Sequence, residues 1–255
     1  MSKIIKRKYG AVILLDALGA SGFSDTQIKE FLSARSEINE IIKDLSTNMK
    51  GWGKFHSPNI YTFGDTIVIT FVLRTKKYIP EHIKGIVILM RRYLFHSMEN
   101  GILFRGSFSF GHFIEDPKTN TVMGKALSDA ASWYELSDWM GLNSTPSSNS
   151  VLEYYFNHAP QFINDAKWIH PYDVPLKTGK TINLYSISWP AAFFDPYWLK
   201  DKKKDNPSKW FLEILKDLPV PKGTESKYEN MKKYFEFIED KIANNQIQPT
   251  AESGG

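Results

Sequence analysis

A tight β-hairpin signal near residue 64 restricts the fold more than any other feature of the sequence. Asn59–Phe63 and Thr66–Leu73 are runs rich in β-branched and aromatic residues, and only Gly64 and Asp65 separate them. A two-residue connection of this kind is typical of an antiparallel hairpin, because glycine accepts the backbone angles that such turns require. The chain is therefore predicted to contain an antiparallel sheet.

The segments before the hairpin predict a strand and a helix. Tyr9–Leu15 is an aliphatic run typical of a buried strand, and Ser24 with Gln27 forms a capping box that begins a helix. The apolar residues after this box fall on one helical face: Ile28, Phe31, Leu32, Ile38, Ile41, Ile42 and Leu45.

The segments after the hairpin continue the pattern. Pro80 suits the first turn of a helix that ends near Met98, and Ile102–Phe113 alternates as a strand with Thr119–Met123 as its short partner. Gly124 then opens a helix with apolar residues at Leu127, Ala130, Ala131 and Tyr134. With right-handed crossovers, this order predicts an α+β, ferredoxin-like fold: an antiparallel sheet with helices on one face and a βαββαβ core.

The C-terminal half is predicted to add further elements to this core. Leu142–Ser150 is rich in Ser, Asn and Pro and predicts a loop, whereas Thr181–Trp189 predicts a strand. Asn206-Pro207 caps a short helix, and Ser226 begins a last helix with apolar residues at three- and four-residue spacing.

These patterns predict one domain over residues 1–245. Its core covers about residues 9–136, and a C-terminal strand and helices extend it over about 150–245. Residues 246–255 contain little apolar side-chain surface and are expected to form a flexible tail.

Composition excludes several functional classes. The chain has no cysteine, which excludes disulfides, Cys-containing zinc sites and thiol nucleophiles. Its net charge of +4 is too small to indicate a DNA-binding protein, and a hydrophobic content of 42% excludes wholesale disorder. The first apolar run stops at Asp16 and is too short to span a membrane, so we expect a cytoplasmic protein without membrane contact.

Two aspartates are candidate metal ligands. Asp16 ends the first strand and Asp65 lies in the hairpin turn, and the predicted topology places that strand beside the hairpin. Two carboxylates at one end of a sheet suit one or two Mg²⁺ or Mn²⁺ ions that bridge substrate phosphates. The structural alternatives are that Asp65 supplies turn geometry and that Asp16 caps the following helix.

Two basic residues are candidate anion ligands. Arg105 interrupts an apolar run before Gly106, so it either contacts a phosphate or is an exposed strand arginine. Gly124-Lys125 lies at a helix start, where free backbone N–H groups can receive an anion, although a glycine there also serves turn geometry.

Taken together, four segments resemble the catalytic domain of class III nucleotidyl cyclases. Residues 13–24 are similar to the first strand, metal-binding aspartate and following turn of that family, and residues 61–65 to its hairpin with the second aspartate. Residues 104–111 resemble the arginine-bearing strand, and residues 122–130 resemble the strand and helix start that follow.

The resemblance implies a two-metal site and a composite dimer. Asp16 and Asp65, with the Ala17 carbonyl, would hold two Mn²⁺ or Mg²⁺ ions, and Arg105 would stabilise phosphate or transition-state charge. Ser128 and Ser132 stand where the family has its transition-state Asn and Arg. A head-to-tail homodimer is implied, in which the two aspartates face the partner's Arg105 or its helix.

The resemblance also bears on the base of the substrate. Tyr61 stands at the base-selecting Lys position, and Thr121 stands near the second base-reading position; Lys125 and Ser128 are further nucleotide-binding candidates. With a Tyr at this position, the chain resembles the pyrimidine cyclases of bacterial Pycsar antiphage systems. The implied activity is conversion of UTP to cyclic UMP and pyrophosphate, as a second messenger that a separate effector protein reads.

Several alternatives stay open at this stage. CTP is the runner-up to UTP as the substrate. Without the resemblance, Tyr61 would be interpreted as a cross-strand packing aromatic, which is common in hairpins. A degenerate, non-catalytic domain that senses nucleotides would also lack the Asn and Arg that Ser128 and Ser132 replace. A palm-type polymerase or diguanylate cyclase is disfavoured because no Gly-Gly-Asp/Glu-Glu-Phe run occurs.

Overall fold

An antiparallel sheet built around β1 forms the centre of the structure, as the hairpin signal predicts. The computed structural model describes residues 6–20, 24–48, 58–73, 79–158, 168–218 and 220–244. Its strands are β1 (Lys8–Ala17), β2 (Asn59–Phe63), β3 (Thr66–Val72), β4 (Phe104–Asp116), β5 (Thr121–Met123), β6 (Leu142–Ser144), β7 (Ile169–Pro175) and β8 (Thr181–Ile187).

The strands follow the order β2-β3-β1-β4-β6-β8-β7, and β5 pairs with the far end of β4. β1 pairs antiparallel with both β3 and β4, whereas β6 runs parallel to β4. At Gly106, a built Cβ atom would lie 2.4 Å from the Leu14 carbonyl oxygen, so only glycine allows β4 to approach β1 this closely. The close approach holds the start of β4 against the end of β1.

The helices are α1 (Asp25–Asn48), α2 (Ile79–Glu99), α3 (Lys125–Tyr134), α4 (Pro146–His158), α5 (Pro196–Asp201), α6 (Pro207–Asp217) and α7 (Glu225–Ala243). Short 3₁₀ turns lie at Pro117–Thr119 and Trp189–Phe194. The predicted order of the core, strand-helix-strand-strand-helix-strand, is confirmed with element ends that differ by at most three residues. None of the helices in the described part of the chain combines the length and apolarity that crossing a bilayer demands.

The two faces of the sheet carry different helices. Side chains alternate along a strand, so Ala11, Ile13 and Leu15 of β1 pack with α1 and α2 in the larger apolar cluster. Val12 and Leu14 point to the other face and pack with Ala126 and Ala130 of α3 in a smaller cluster, which also contains Tyr61, Val68, Phe113 and Val122. The two core helices thus share one face, as expected, and α3 covers part of the opposite face.

The C-terminal half extends the same sheet and the same core. Leu184 and Ile187 of β8 belong to the larger cluster, as do Phe211 of α6 and Phe235 of α7. The rings of Phe211 and Phe235 stack with centroids 4.1 Å apart. Because these contacts are continuous with the core under β1, α7 has a fixed position relative to the end of that strand.

Two sequence interpretations in this half need correction. Leu142–Ser150 is not a loop: it contains β6 and the start of α4. Its buried polar side chains form hydrogen bonds with one another and with the backbone. For example, Ser148 Oγ accepts a hydrogen bond from the Phe110 N–H. The strand β7 was not predicted, because Pro171 and Pro175 disguise it; it lies at the edge of the sheet, where prolines are tolerated.

Two further expectations fall partly outside the described residues. In α1, Phe31 and Ile38 are buried as predicted, but Ile28 and Leu32 are exposed; the side chains of Ile41, Ile42 and Leu45 are not described. The Ile28 N–H donates to the Ser24 carbonyl at the start of this helix, whereas the side chain of Gln27 is not described. The tail at residues 246–255 also lies outside the described residues.

Candidate active site

A polar cavity of about 340 Å³ lies where β1, the hairpin turn and the start of β4 meet. Asp16, Ala17 and Asp65 line it together with Arg105, so the structure brings these four sequence candidates to one place. The rest of its lining comes from Leu18, Gly19, Ala20, Tyr134, Thr224 and Lys227. Its volume falls in the usual range for small-molecule sites, about 300–1,000 Å³.

The strand register explains why the two aspartates meet. Asp16 is paired with Thr66, the first residue of β3, so Asp65 in the turn lies next to the end of β1. The Ala17 N–H donates a hydrogen bond of 3.2 Å to the Asp65 carbonyl oxygen. Gly64 takes the left-handed conformation that the turn needs, with φ of 63°, and its carbonyl accepts a 2.7 Å hydrogen bond from Arg35 of α1.

Arg105 forms an ion pair with Asp16 of the same chain. The Arg105 Nε and Nη2 atoms lie 3.0 and 2.9 Å from Asp16 Oδ2. Both side chains are largely buried, with exposed fractions of 17% and 15%. One of the two expected arrangements is thereby corrected: Arg105 faces Asp16 of its own chain, because the β1–β4 register places the two residues directly opposite each other. That the partner's helix faces the aspartates stays a prediction.

The donor set suits hard divalent cations. The Asp16 Oδ1 atom accepts only a long 3.4 Å hydrogen bond from Thr66 among the contacts of the described residues, so this oxygen is available to a ligand. The described residues contain no cluster of three or more His, Cys, Asp or Glu side chains, and this cavity offers two carboxylates. Mg²⁺ is commonly held by one or two carboxylates together with waters and substrate phosphates.

Tyr134 and Lys227 are among the cavity residues that were not singled out as site residues from the sequence. Tyr134 ends α3, and the Arg105 guanidinium carbon lies 5.3 Å from the centre of its ring. Burial raises the pKa of Tyr134, and the charge of Asp16 raises it further. Lys227 comes from α7, more than 100 residues after Arg105 in the chain. The spacing of Tyr134 from Ala130 on one helical face could have indicated that Tyr134 lies near the sheet. The sequence around Lys227 contains no pattern that would have placed it at the cavity.

Tyr61 lies on the same face of the sheet as Asp16, but it is buried. Its side chain is 1% exposed in the smaller apolar cluster, opposite Val68. Burial, followed by the hydrogen bond to Glu115, raises its pKa. This environment supports the packing interpretation of the ring. Tyr61→Ala would destabilise the fold, since removing a buried aromatic side chain costs about 3–5 kcal/mol.

Glu115 organises a buried polar cluster around Tyr61. Its carboxylate accepts hydrogen bonds from the Tyr61 hydroxyl at 2.8 Å, Asn59 at 2.9 Å, the Lys8 ammonium at 2.7 Å and the Thr70 hydroxyl. Burial opposes ionisation of Glu115, but the hydrogen bonds from Lys8, Thr70 and Tyr61 outweigh it and lower its pKa.

The remaining nucleotide-binding candidates do not line the cavity. Thr121 hydrogen-bonds with Thr119 in the turn before β5, where Asn120 also donates to the Thr62 carbonyl of β2. Lys125 and Ser128 are exposed on α3. The Ser128 carbonyl accepts a 2.8 Å hydrogen bond from Ser132.

Comparison with known proteins gives a likeness of fold. The sequence matches no protein-family model, and no curated protein matches it. The adenylyl cyclase CyaB of P. aeruginosa is similar over 72% of this chain and 96% of that chain, with 13% identity and a TM-score of 0.45. The guanylyl cyclase Cya2 is similar over 72% of this chain and 93% of that chain, with 11% identity and a TM-score of 0.43. These identities and TM-scores are too low to assign a function to this chain.

Glu115→Gln should lower the free energy of unfolding at neutral pH and should make that free energy less dependent on pH in the acidic range. Since the folded pKa of Glu115 is depressed, its contribution is present above the unfolded value of about 4.3 and is lost as pH falls through the folded value. We expect Glu115→Gln to cost about 1.5–3 kcal/mol at pH 7, the usual range for hydrogen bonds to a charged group, with a smaller deficit near pH 3. Urea unfolding at the two pH values measures both.

The control is Glu229→Gln on the exposed side of α7, where the carboxylate pairs with Lys232 one turn along. It should change unfolding by less than about 0.5 kcal/mol at either pH. Equal pH dependence for Glu115→Gln and the wild-type protein would contradict the role assigned to the buried carboxylate.

Proposed function

We propose that this chain is a metal-dependent nucleotidyl cyclase that converts UTP to 3′,5′-cyclic UMP and pyrophosphate. The observation that supports it most is the convergence of Asp16, Asp65 and Arg105 on one polar cavity. Carboxylates and a guanidinium at one sheet end are the groups that a phosphoryl-transfer site requires. The resemblance of four chain segments to class III cyclases supports the same activity.

The reaction is an internal displacement at phosphorus. The ribose 3′ oxygen attacks the α-phosphorus and loses its proton, and the bond from the α-phosphorus to the oxygen bridging to the β-phosphorus breaks. Pyrophosphate leaves with the electron pair of that bond. No external reactant is needed, so a cavity that holds the triphosphate and aligns the ribose is sufficient.

The chain's own residues would divide this work. Asp16 and Asp65, with the Ala17 carbonyl, would hold one or two Mg²⁺ or Mn²⁺ ions. When bound, these ions would lower the pKa of the 3′-hydroxyl and neutralise phosphate charge. Arg105 would share Asp16 with the cations and donate to phosphate oxygens, where its fixed donor geometry matches a developing negative charge.

The pyrimidine preference rests on the resemblance at Tyr61. A Tyr where purine cyclases have a Lys is the feature shared with pyrimidine cyclases, and CTP is the nearest alternative to UTP. Hydrogen bonding to Glu115 orients the Tyr61 hydroxyl, so any contribution of this residue to base choice depends on that pair. Thr121, Lys125 and Ser128 would contribute from the partner subunit of a composite homodimer.

A non-catalytic nucleotide sensor is the second candidate. Ser128 and Ser132 carry no charge, and the Ser132 hydroxyl donates to the Ser128 carbonyl on the exposed side of α3. These residues favour a site without the helix-borne transition-state groups of the family. As a cyclase, the chain would instead supply cyclic UMP to a separate effector protein in antiphage defence. A sensor would bind nucleotides and release them unchanged.

Asp65→Ala is the direct test of the activity. Incubation of the wild-type protein with each of the four NTPs and Mn²⁺ should give cyclic UMP, or cyclic CMP at a lower rate, by chromatography. Asp65→Ala should lower the rate by at least about 100-fold, the scale for losing an essential electrostatic group, while the melting temperature stays nearly constant because Asp65 lies in a half-exposed turn.

The matched control is Asp205→Ala, which removes an exposed carboxylate outside the cavity and should leave turnover unchanged. Retained cyclisation by Asp65→Ala would overturn the metal-site proposal. Binding of NTPs without product in the wild-type protein would favour the sensor.

Tyr61→Phe separates base reading from packing, because it removes the hydroxyl and keeps the buried ring. If Tyr61 takes part in base choice, Tyr61→Phe should lower kcat/KM for UTP and CTP by a factor that corresponds to a loss of about 1–3 kcal/mol in transition-state binding. The effect for ATP and GTP should be smaller. Steady-state kinetics with all four NTPs measures this, and Tyr154→Phe on exposed α4 is the control. Unchanged kinetics for Tyr61→Phe would leave the residue with a packing role alone.

A further inference from the structure

The C-terminal helix reaches the cavity that contains Asp16 and Asp65. Thr224 immediately precedes α7, and Lys227 lies in its first turn; both line the cavity. The segment just before them closes the same wall, since Pro221 packs against Gly19. A Cβ atom built on Gly19 would lie 2.5 Å from Pro221 Cγ, and Gly19 also has a φ of 78°, so no larger residue fits there.

The core fixes the position of α7. Met231 and Tyr234 of this helix are fully buried in the larger apolar cluster, and the Tyr234 hydroxyl donates to the Ile187 carbonyl at 3.1 Å. The Asn230 side-chain amide donates a 2.7 Å hydrogen bond to the Asp138 carbonyl. Lys227 is therefore held at the cavity, because Asn230, Met231 and Tyr234 follow it at three-, four- and seven-residue spacing and anchor the same side of the helix.

Lys227 is a buried cation with a long ion pair. The residue is 8% exposed, and its Nζ atom lies 3.8 Å from Asp138 Oδ1, longer than the 2.7–2.9 Å typical of a charge-assisted hydrogen bond. Burial lowers the pKa of Lys227; Asp138 opposes this effect, and the positive charge of Arg105 lowers the pKa further. A buried ammonium beside a second cation is unfavourable unless an anion joins them.

The charges of the cavity show which ligand would satisfy this arrangement. Arg105 is neutralised by Asp16 at 2.9 Å, whereas the charge of Lys227, on the wall formed by α7, is compensated less closely by Asp138 at 3.8 Å. A lysine ammonium acts as a compact point charge that suits phosphate oxygens, and a triphosphate can contact both cations that line the cavity.

We infer that Lys227 binds the triphosphate of the nucleotide in the same chain that supplies Asp16 and Asp65. This inference rests on the proposed function, since it assigns a phosphate ligand to that site. It also gives the C-terminal half of the chain a direct part in substrate binding. Lys227 would act mainly on the phosphates that leave as pyrophosphate.

Lys227→Met tests the inference, because methionine nearly conserves the volume and removes the charge. The dissociation constant for inorganic triphosphate in the presence of Mn²⁺, measured by calorimetry, should rise at least tenfold. KM for UTP should rise by a similar factor, and Lys227→Arg should restore much of both. Lys232→Met should match the wild-type protein, because Lys232 lies on the same helix with a half-exposed side chain that pairs with Glu229.

A second variant protects the test against misfolding. Lys227→Met combined with Asp138→Asn leaves no unpaired carboxylate, and it should show the same loss of triphosphate affinity with a melting temperature close to wild type. If a folded Lys227→Met variant binds inorganic triphosphate as tightly as the wild-type protein does, the inference is overturned. Formation of cyclic product by the wild-type protein would still support the cyclase in that case. Absence of both triphosphate binding and product in the wild-type protein would instead overturn the proposed function itself.

Discussion

Backbone hydrogen bonds on both sides of β1 hold the strand between β3 and β4, and the candidate site depends on where that strand ends. Antiparallel pairing sets Asp16 opposite Thr66 on one side and opposite Arg105 on the other. A shift of one residue in either register would turn Asp16 to the face covered by α1 and α2. Such a shift is unfavourable, because it would bury the Asp16 carboxylate among the apolar side chains of that face without a partner.

The Asp16–Arg105 ion pair has a double character. In the folded chain it compensates two largely buried charges, which reduces the desolvation penalty of each. It also holds the carboxylate and the guanidinium at the position where a cation and a phosphate would compete for them. The cavity is thus organised before a ligand arrives, which limits the conformational cost of binding.

Local patterns made the core predictable from the sequence. The Gly64-Asp65 turn, the aliphatic run of β1 and the alternation of β4 are signals carried by neighbouring residues, and the pairing of Asp16 with the hairpin follows from the topology. The short strand β6 was missed because three residues carry no periodicity, and its Asn143 and Ser144 are polar although fully buried.

Contacts in the site between segments far apart in the sequence could not be predicted from such local patterns. Either Arg105 or the helix of a partner subunit was expected to face the aspartates, and the β1–β4 register places Arg105 beside Asp16 of its own chain. Lys227 reaches the cavity only because the aromatic packing of α7 on the core aims its first turn there. Such a contact depends on tertiary packing between segments far apart in the chain.

The central claim is that Asp16 and Asp65 form one divalent-cation site. Titration of Mn²⁺ into the wild-type protein with inorganic triphosphate present, followed by electron paramagnetic resonance, measures that site without requiring turnover. We expect tight Mn²⁺ binding by the wild-type chain and at least a tenfold weaker affinity in Asp16→Asn and in Asp65→Asn. Equal stoichiometry and affinity in all three proteins would contradict it.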